Sequence, residues 1–98
     1  MSDKNKRFKV FQTADNTVSY TSGILYFDPH DNQTSVFQAN MNSGDTLVLK
    51  GRIDESLPFV DILTVKGCDI IQEVVTVSEY QVVVTNTSGS AVVAAITI

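Results

Sequence analysis

Thr46-Leu47-Val48-Leu49-Lys50-Gly51-Arg52-Ile53 is the stretch whose reading decides the fold. Leu47, Leu49, Gly51 and Ile53 fall on one face. Thr46, Lys50 and Arg52 fall on the other, with Val48 among them. Side chains that alternate with a period of two belong to an antiparallel strand with one buried face. Asn42-Ser43-Gly44-Asp45 is a strong turn before it, and Asp54 to Pro58 is a loop after it.

The same texture extends in both directions. Towards the N-terminus the pattern predicts strands over Arg7 to Thr13, Thr17 to Phe27 and Thr34 to Asn40. Ser22-Gly23 interrupts the second of these, as a bulge or bend does. Towards the C-terminus, Phe59 to Val65 and Ile70 to Val77 flank Lys66-Gly67-Cys68-Asp69 and read as a hairpin. Tyr80 to Thr87 and Ala91 to Ile98 flank Ser88-Gly89-Ser90 and read as a second one. Val, Ile and Thr supply 31 of the 98 residues against five Ala and five Leu, a balance that disfavours helix and suits strands. The expectation is all-β: a single antiparallel β-sandwich, jelly-roll or immunoglobulin-like, of about eight strands. A chain of 98 residues holds one modest core. Residues 1–6 are expected to form a flexible basic N-terminal arm and residues 7–98 the sandwich domain.

Charge is unevenly placed. Lys4, Lys6, Arg7 and Lys9 against Asp3 give the first nine residues a net +3. The other 89 carry three basic and ten acidic groups, a net of −7. An acidic body does not suit nucleic acid, which asks for a basic face. Met1 to Asn5 is polar, so no secretory signal is expected, and no run approaches the ~20 apolar residues of a membrane-spanning helix. Synthesis in a cytosol follows. Cys68 stands alone and reads as a partly buried small hydrophobe beside a turn.

Catalytic chemistry finds little to rest on. His30, in Asp28-Pro29-His30-Asp31, is the chain's one histidine and reads as part of a solvated loop; it lacks the partners of a zinc or calcium site. No nucleophile elbow or Gly-rich phosphate loop is present. A carboxylate pair such as Asp54 with Asp61 or Glu73 can be drawn in any acidic chain, and a 98-residue sandwich has little room for a cleft around it. Neither enzymatic activity nor a cofactor is expected. Most of the aromatics, Phe8, Phe11, Tyr20, Tyr26, Phe27, Phe37, Phe59 and Tyr80, alternate with polar residues and read as core.

The final segment bears on assembly. Ala91 to Ile98 has no charged side chain, and Tyr80 to Thr87 has none either. Left as an exposed edge, such a strand would template aggregation, so it must be central in its own sheet or covered by a partner. Two contact surfaces follow as candidates. Lys4, Lys6, Arg7 and Lys9 form a docking arm for an acidic partner, and Val92, Ala94, Ile96 and Ile98 form a subunit interface.

Thr46 to Asp54, then Pro58-Phe59-Val60-Asp61-Ile62, then Tyr80-Gln81-Val82-Val83-Val84-Thr85 and the Val-rich end from Ala91 to Ile98 resemble small β-sandwich virion proteins of tailed bacteriophages. The likeness spans about residues 45–98, with Phe59 where that family often carries Trp. It implies a non-enzymatic structural role, foremost a capsid decoration (cement) protein that bridges and stabilises capsid subunits. Its place would be the virion's capsid surface, its partner the major capsid protein or another virion subunit, and its state a homo-oligomer, a trimer first. A tail or fibre component, or a carbohydrate- or host-surface-binding module, is the alternative.

Overall fold

In a computed structural model, the chain is described over residues 8–12, 19–27, 34–85 and 92–97. The expected arm, residues 1–6, lies outside them, as does the loop carrying His30. The strands are β1 (Phe8–Gln12), β2 (Ser19–Thr21), β3 (Leu25–Tyr26), β4 (Ser35–Asn40), β5 (Thr46–Arg52), β6 (Val60–Lys66), β7 (Ile70–Val74), β8 (Glu79–Thr85) and β9 (Val93–Thr97). Along β5 burial alternates as the sequence predicts, with Leu47, Leu49 and Gly51 buried. Ile53 is a correction. It lies beyond the strand end, where alternation no longer applies, and its side chain is exposed.

The strands form two antiparallel sheets. The first runs β1-β9-β4-β7; the second runs β2-β8-β5-β6, with β3 continuing along β8 where β2 stops. Pairing is nested: β1 with β9, β2 and β3 with β8, β4 with β7, β5 with β6. A long hairpin folded at the β5–β6 loop and wrapped into two layers gives this order, which is the jelly-roll arrangement of a sandwich. Ser22 makes the break between β2 and β3. Its backbone N–H donates to the Val82 carbonyl (2.9 Å), while the Val82 N–H donates to Ser22 Oγ (2.9 Å).

The two expected hairpins do not form. β6 and β7 belong to different sheets, and so do β8 and β9. The physical reason is that both members of each pair have a buried face, and these faces look at each other across one core. Phe37, Ala39, Val74, Ala94 and Ile96 come from the first sheet; Leu47, Leu49, Val65, Tyr80, Val82 and Val84 come from the second. Burying each such aliphatic side chain is worth about 1.5–3 kcal/mol, more than a local turn supplies. The short links therefore cross between layers. At one end the β4–β5 and β6–β7 links hold each other: Gly67 N–H donates to the Asp45 carbonyl (2.8 Å) and Met41 N–H to Asp69 Oδ1 (2.9 Å). Gly67 has φ +59 and its missing Cβ would lie 3.3 Å from the Gly44 nitrogen, so glycine suits this crossing. Cys68 in this link is exposed rather than partly buried: the link is held by the Gly67 N–H and the Asp69 carboxylate on either side of it, not by its side chain.

Tyr80 ties the opposite end. It is fully buried and packs edge-on against Phe27, ring centroids 5.6 Å apart. Its hydroxyl donates to the Val75 carbonyl (2.6 Å), accepts from the Val77 N–H (3.1 Å) and lies 3.2 Å from Ser35 Oγ. The β7–β8 crossing is thereby fixed to the start of β4. Tyr80→Phe leaves a buried donor and acceptor without this partner. It is expected to lower unfolding free energy by about 1–3 kcal/mol in urea denaturation, while Tyr26→Phe, at an exposed position, leaves it within about 0.5 kcal/mol.

Candidate functional site

The four candidate interface residues on the last strand divide sharply. Val92, Ala94 and Ile96 are almost wholly buried in the core of their own chain, so they offer no surface to a partner; Ile98 lies outside the described residues. β9 is central, between β1 and β4, so its own sheet covers its edges. Of the candidate docking arm, Lys4, Lys6 and Arg7 also lie outside the described residues. Lys9 is placed in β1 opposite Ile96 by register, and its side chain is outside the description.

The surface that β9 does present is one residue out of phase with the expected one. Val93, Ala95 and Thr97 face outward and sit opposite Asn40, Gln38 and Val36 of β4. These six residues line a shallow depression of about 260 Å³. None carries a charge, and Gln38 Nε2 donates to Asn40 Oδ1 at 3.0 Å within the face. Exposed Ile71 continues it onto β7 opposite Gln38, where Glu73, opposite Val36, is its charged group. The outer face of the second sheet is different in kind. Lys50 pairs with Asp61 (2.7 Å) and Arg52 with Glu79 (2.8 Å).

A second apolar surface lies at the Tyr80 end, and sequence reading missed it. Ile53, Leu57, Val60 and Val75 are 68, 44, 61 and 62 % exposed, an unusual cluster for large aliphatics. With Pro58, Ile62 and Val77 they frame a cleft of about 210 Å³. Its shape follows from two local devices. The β5–β6 register shifts between Leu49 and Lys50, so Leu49 faces Leu63 while Lys50 faces Asp61. The extra residue, Ile62, turns towards the core. Gly51 leaves room for it: a Cβ there would lie 2.5 Å from Ile62 Cδ1 and 2.8 Å from Val77 Cγ2.

Arg52 forms the rigid side of the cleft. Its Nε and Nη2 both meet Glu79 Oε1 at 2.8 Å, Nη1 donates to the Leu57 carbonyl (3.2 Å), and the guanidinium lies 4.2 Å from the centre of the Phe59 ring. The lip is a tight Asp54–Leu57 turn. Asp54 Oδ2 accepts from both the Ser56 hydroxyl and the Ser56 N–H, and Leu57 N–H donates to the Asp54 carbonyl. The Ser56 hydroxyl and then the Ser56 N–H hold the Asp54 carboxyl below its ordinary pKa; desolvation opposes them by less, and the Arg52 charge helps least. Asp54 and Asp61, the carboxylates most readily drawn as a catalytic pair, are thus engaged with Ser56 and Lys50. No group of three His, Cys, Asp or Glu among the described residues is arranged to hold a metal ion.

No family model matches the chain, and no curated protein and no solved structure matches it.

Two expectations check this geometry. Gly51→Ala forces Ile62 and the stiffer Val77 to move and costs about 1–3 kcal/mol in urea denaturation; an unchanged midpoint would contradict the close packing. Because the folded pKa of Asp54 is depressed, the turn's stabilisation is complete above the ordinary aspartate value of about 3.9 and fades as pH falls through the lowered one. Carboxyl NMR titration is expected to place Asp54 below that ordinary value and to move it upward in Ser56→Ala.

Proposed function

We propose that this chain is a non-enzymatic structural protein of a phage particle, of the capsid decoration kind. It attaches through the outer face of the β1-β9-β4-β7 sheet. The observation that carries the reading is that this face, over β4 and β9, is uncharged, aliphatic at Val36, Val93 and Ala95 and polar only through Gln38, Asn40 and Thr97. Jelly rolls serve in viral capsids and in lectins alike, so the fold alone does not choose between them. The sequence likeness over residues 45–98 points to the virion. Over β4 and β9, an aliphatic and amide face favours docking on protein over sugar stacking, which uses exposed aromatic rings.

On this reading the protein spreads its face over neighbouring capsid subunits and adds interface area between them. The basic groups Lys4, Lys6 and Arg7 pair with acidic capsid groups. Attachment as a trimer raises avidity without stronger individual contacts.

Capsids assembled without the chain, mixed with purified protein and pelleted, test the proposal. Saturable co-sedimentation is expected at low salt. Ala95→Glu, on the outward face, is expected to weaken it by roughly tenfold or more while leaving the unfolding midpoint near that of the wild type. Removing residues 1–7, which stops short of β1, is expected to weaken it and flatten its salt dependence. No co-sedimentation at low salt would overturn the reading.

A further inference from the structure

We propose that the cleft between Gly51, Ile53, Leu57, Val60 and Val75 binds an extended partner segment that presents a bulky aliphatic side chain beside a lysine or arginine. The proposal rests on the cleft itself and is independent of the particle reading above.

The walls call for an apolar occupant. Ile53, Leu57, Val60 and Val75 stay in water unless something covers them, and covering apolar surface is favourable at about 25 cal/mol per Å². At about 210 Å³ the cleft takes one or two side chains. A short segment that inserts one large side chain is enough to fill it.

The backbone around it calls for an extended segment. Among the described residues β6 is the outer strand of its sheet, paired with β5 alone, and Val60 at its start forms one wall. Val75, on the opposite wall, directly follows β7, the outer strand of the other sheet. A peptide whose side chain enters the cleft therefore runs beside a strand edge that no other described strand pairs with, where main-chain hydrogen bonds and side-chain pockets act together.

The charge around the cleft sets the second half of the specificity. Arg52 is neutralised by Glu79, and Lys50 by Asp61. Asp54 and Glu55 remain on the lip, both exposed, and Ser56 keeps the Asp54 carboxylate ionised. An anionic lip beside an apolar hole complements a cation next to an aliphatic group. The site is also built in advance. Arg52 holds the Leu57 carbonyl and the Phe59 ring, and Gly51 with Ile62 and Val77 sets the floor, so little ordering remains to be done on binding.

The test titrates the isotopically labelled full chain with an acetylated hexapeptide of alternating leucine and lysine and follows methyl resonances by NMR. Leucine/glutamate and serine/lysine hexapeptides serve as controls. The leucine/lysine peptide is expected to shift the methyls of Ile53, Leu57, Val60 and Val75 saturably, and to bind roughly tenfold tighter than either control. Val60→Ser and Val75→Ser, both at exposed positions, are expected to weaken binding by roughly tenfold, and Glu55→Gln by roughly twofold. Equal binding of the leucine/glutamate peptide would remove the charge requirement and overturn the proposal. So would equal binding of the serine/lysine peptide, or shifts confined to residues outside the cleft.

Discussion

The Tyr80 hydroxyl is the point on which the two layers depend. It lies in the core, where an unpaired polar group costs about 1–3 kcal/mol, and it engages the Val75 carbonyl, the Val77 N–H and Ser35 Oγ together. One side chain of β8 thus holds the link from β7 and the first residue of β4. A link that crosses between sheets has no ladder to satisfy its backbone, and Tyr80 supplies what the ladder does not. Ser35 and Thr76 close the arrangement, their hydroxyl oxygens 2.7 Å apart. At the far end Asp69 and Gly67 do comparable work on the β4–β5 turn.

The crossing also decides which strands lie inside a sheet. β8 and β9, the strands of the two uncharged stretches, become the inner strands of separate sheets. Three of the four outer strands carry ionic groups: Lys9 on β1, Asp61 and Lys66 on β6, Glu73 on β7. This disposition protects edges from pairing with other chains. It also leaves β9 with two different faces. Ala94 and Ile96 complete the core, while Val93 and Ala95 lie on the outer surface.

The elements themselves were legible in the sequence. β5 could be read from Leu47 and Leu49, the interruption of the second segment from Ser22-Gly23, and the crowded turn from Asn42 to Asp45. What local pattern could not give was partnership. Val82 and Ala94 alternate as any strand residues do, and nothing in their spacing says whether they face each other across a hairpin or across a core. The phase of the last strand was lost for the same reason, since both of its faces are apolar. The cleft was invisible because Ile53 continues the alternation of β5 one residue past the strand, and Val75 sits inside a run that reads as strand throughout. Gly51 was the available signal: a glycine on the buried face of a clean strand marks a close approach, here by Ile62 and Val77.

The functional readings both depend on this layering. An outer face on β4 and β9, and a cleft beside the ends of β6 and β7, exist only if β8 and β9 are in different sheets. Backbone NOE contacts measured on the labelled full chain decide that directly. The account predicts contacts of Ala94 and Ala95 with Ala39 and Gln38 on one side and with Phe11 and Val10 on the other, and of Val84 with Leu47. A ladder of backbone contacts running between Tyr80–Thr85 and Val93–Thr97, as in a hairpin, would contradict it.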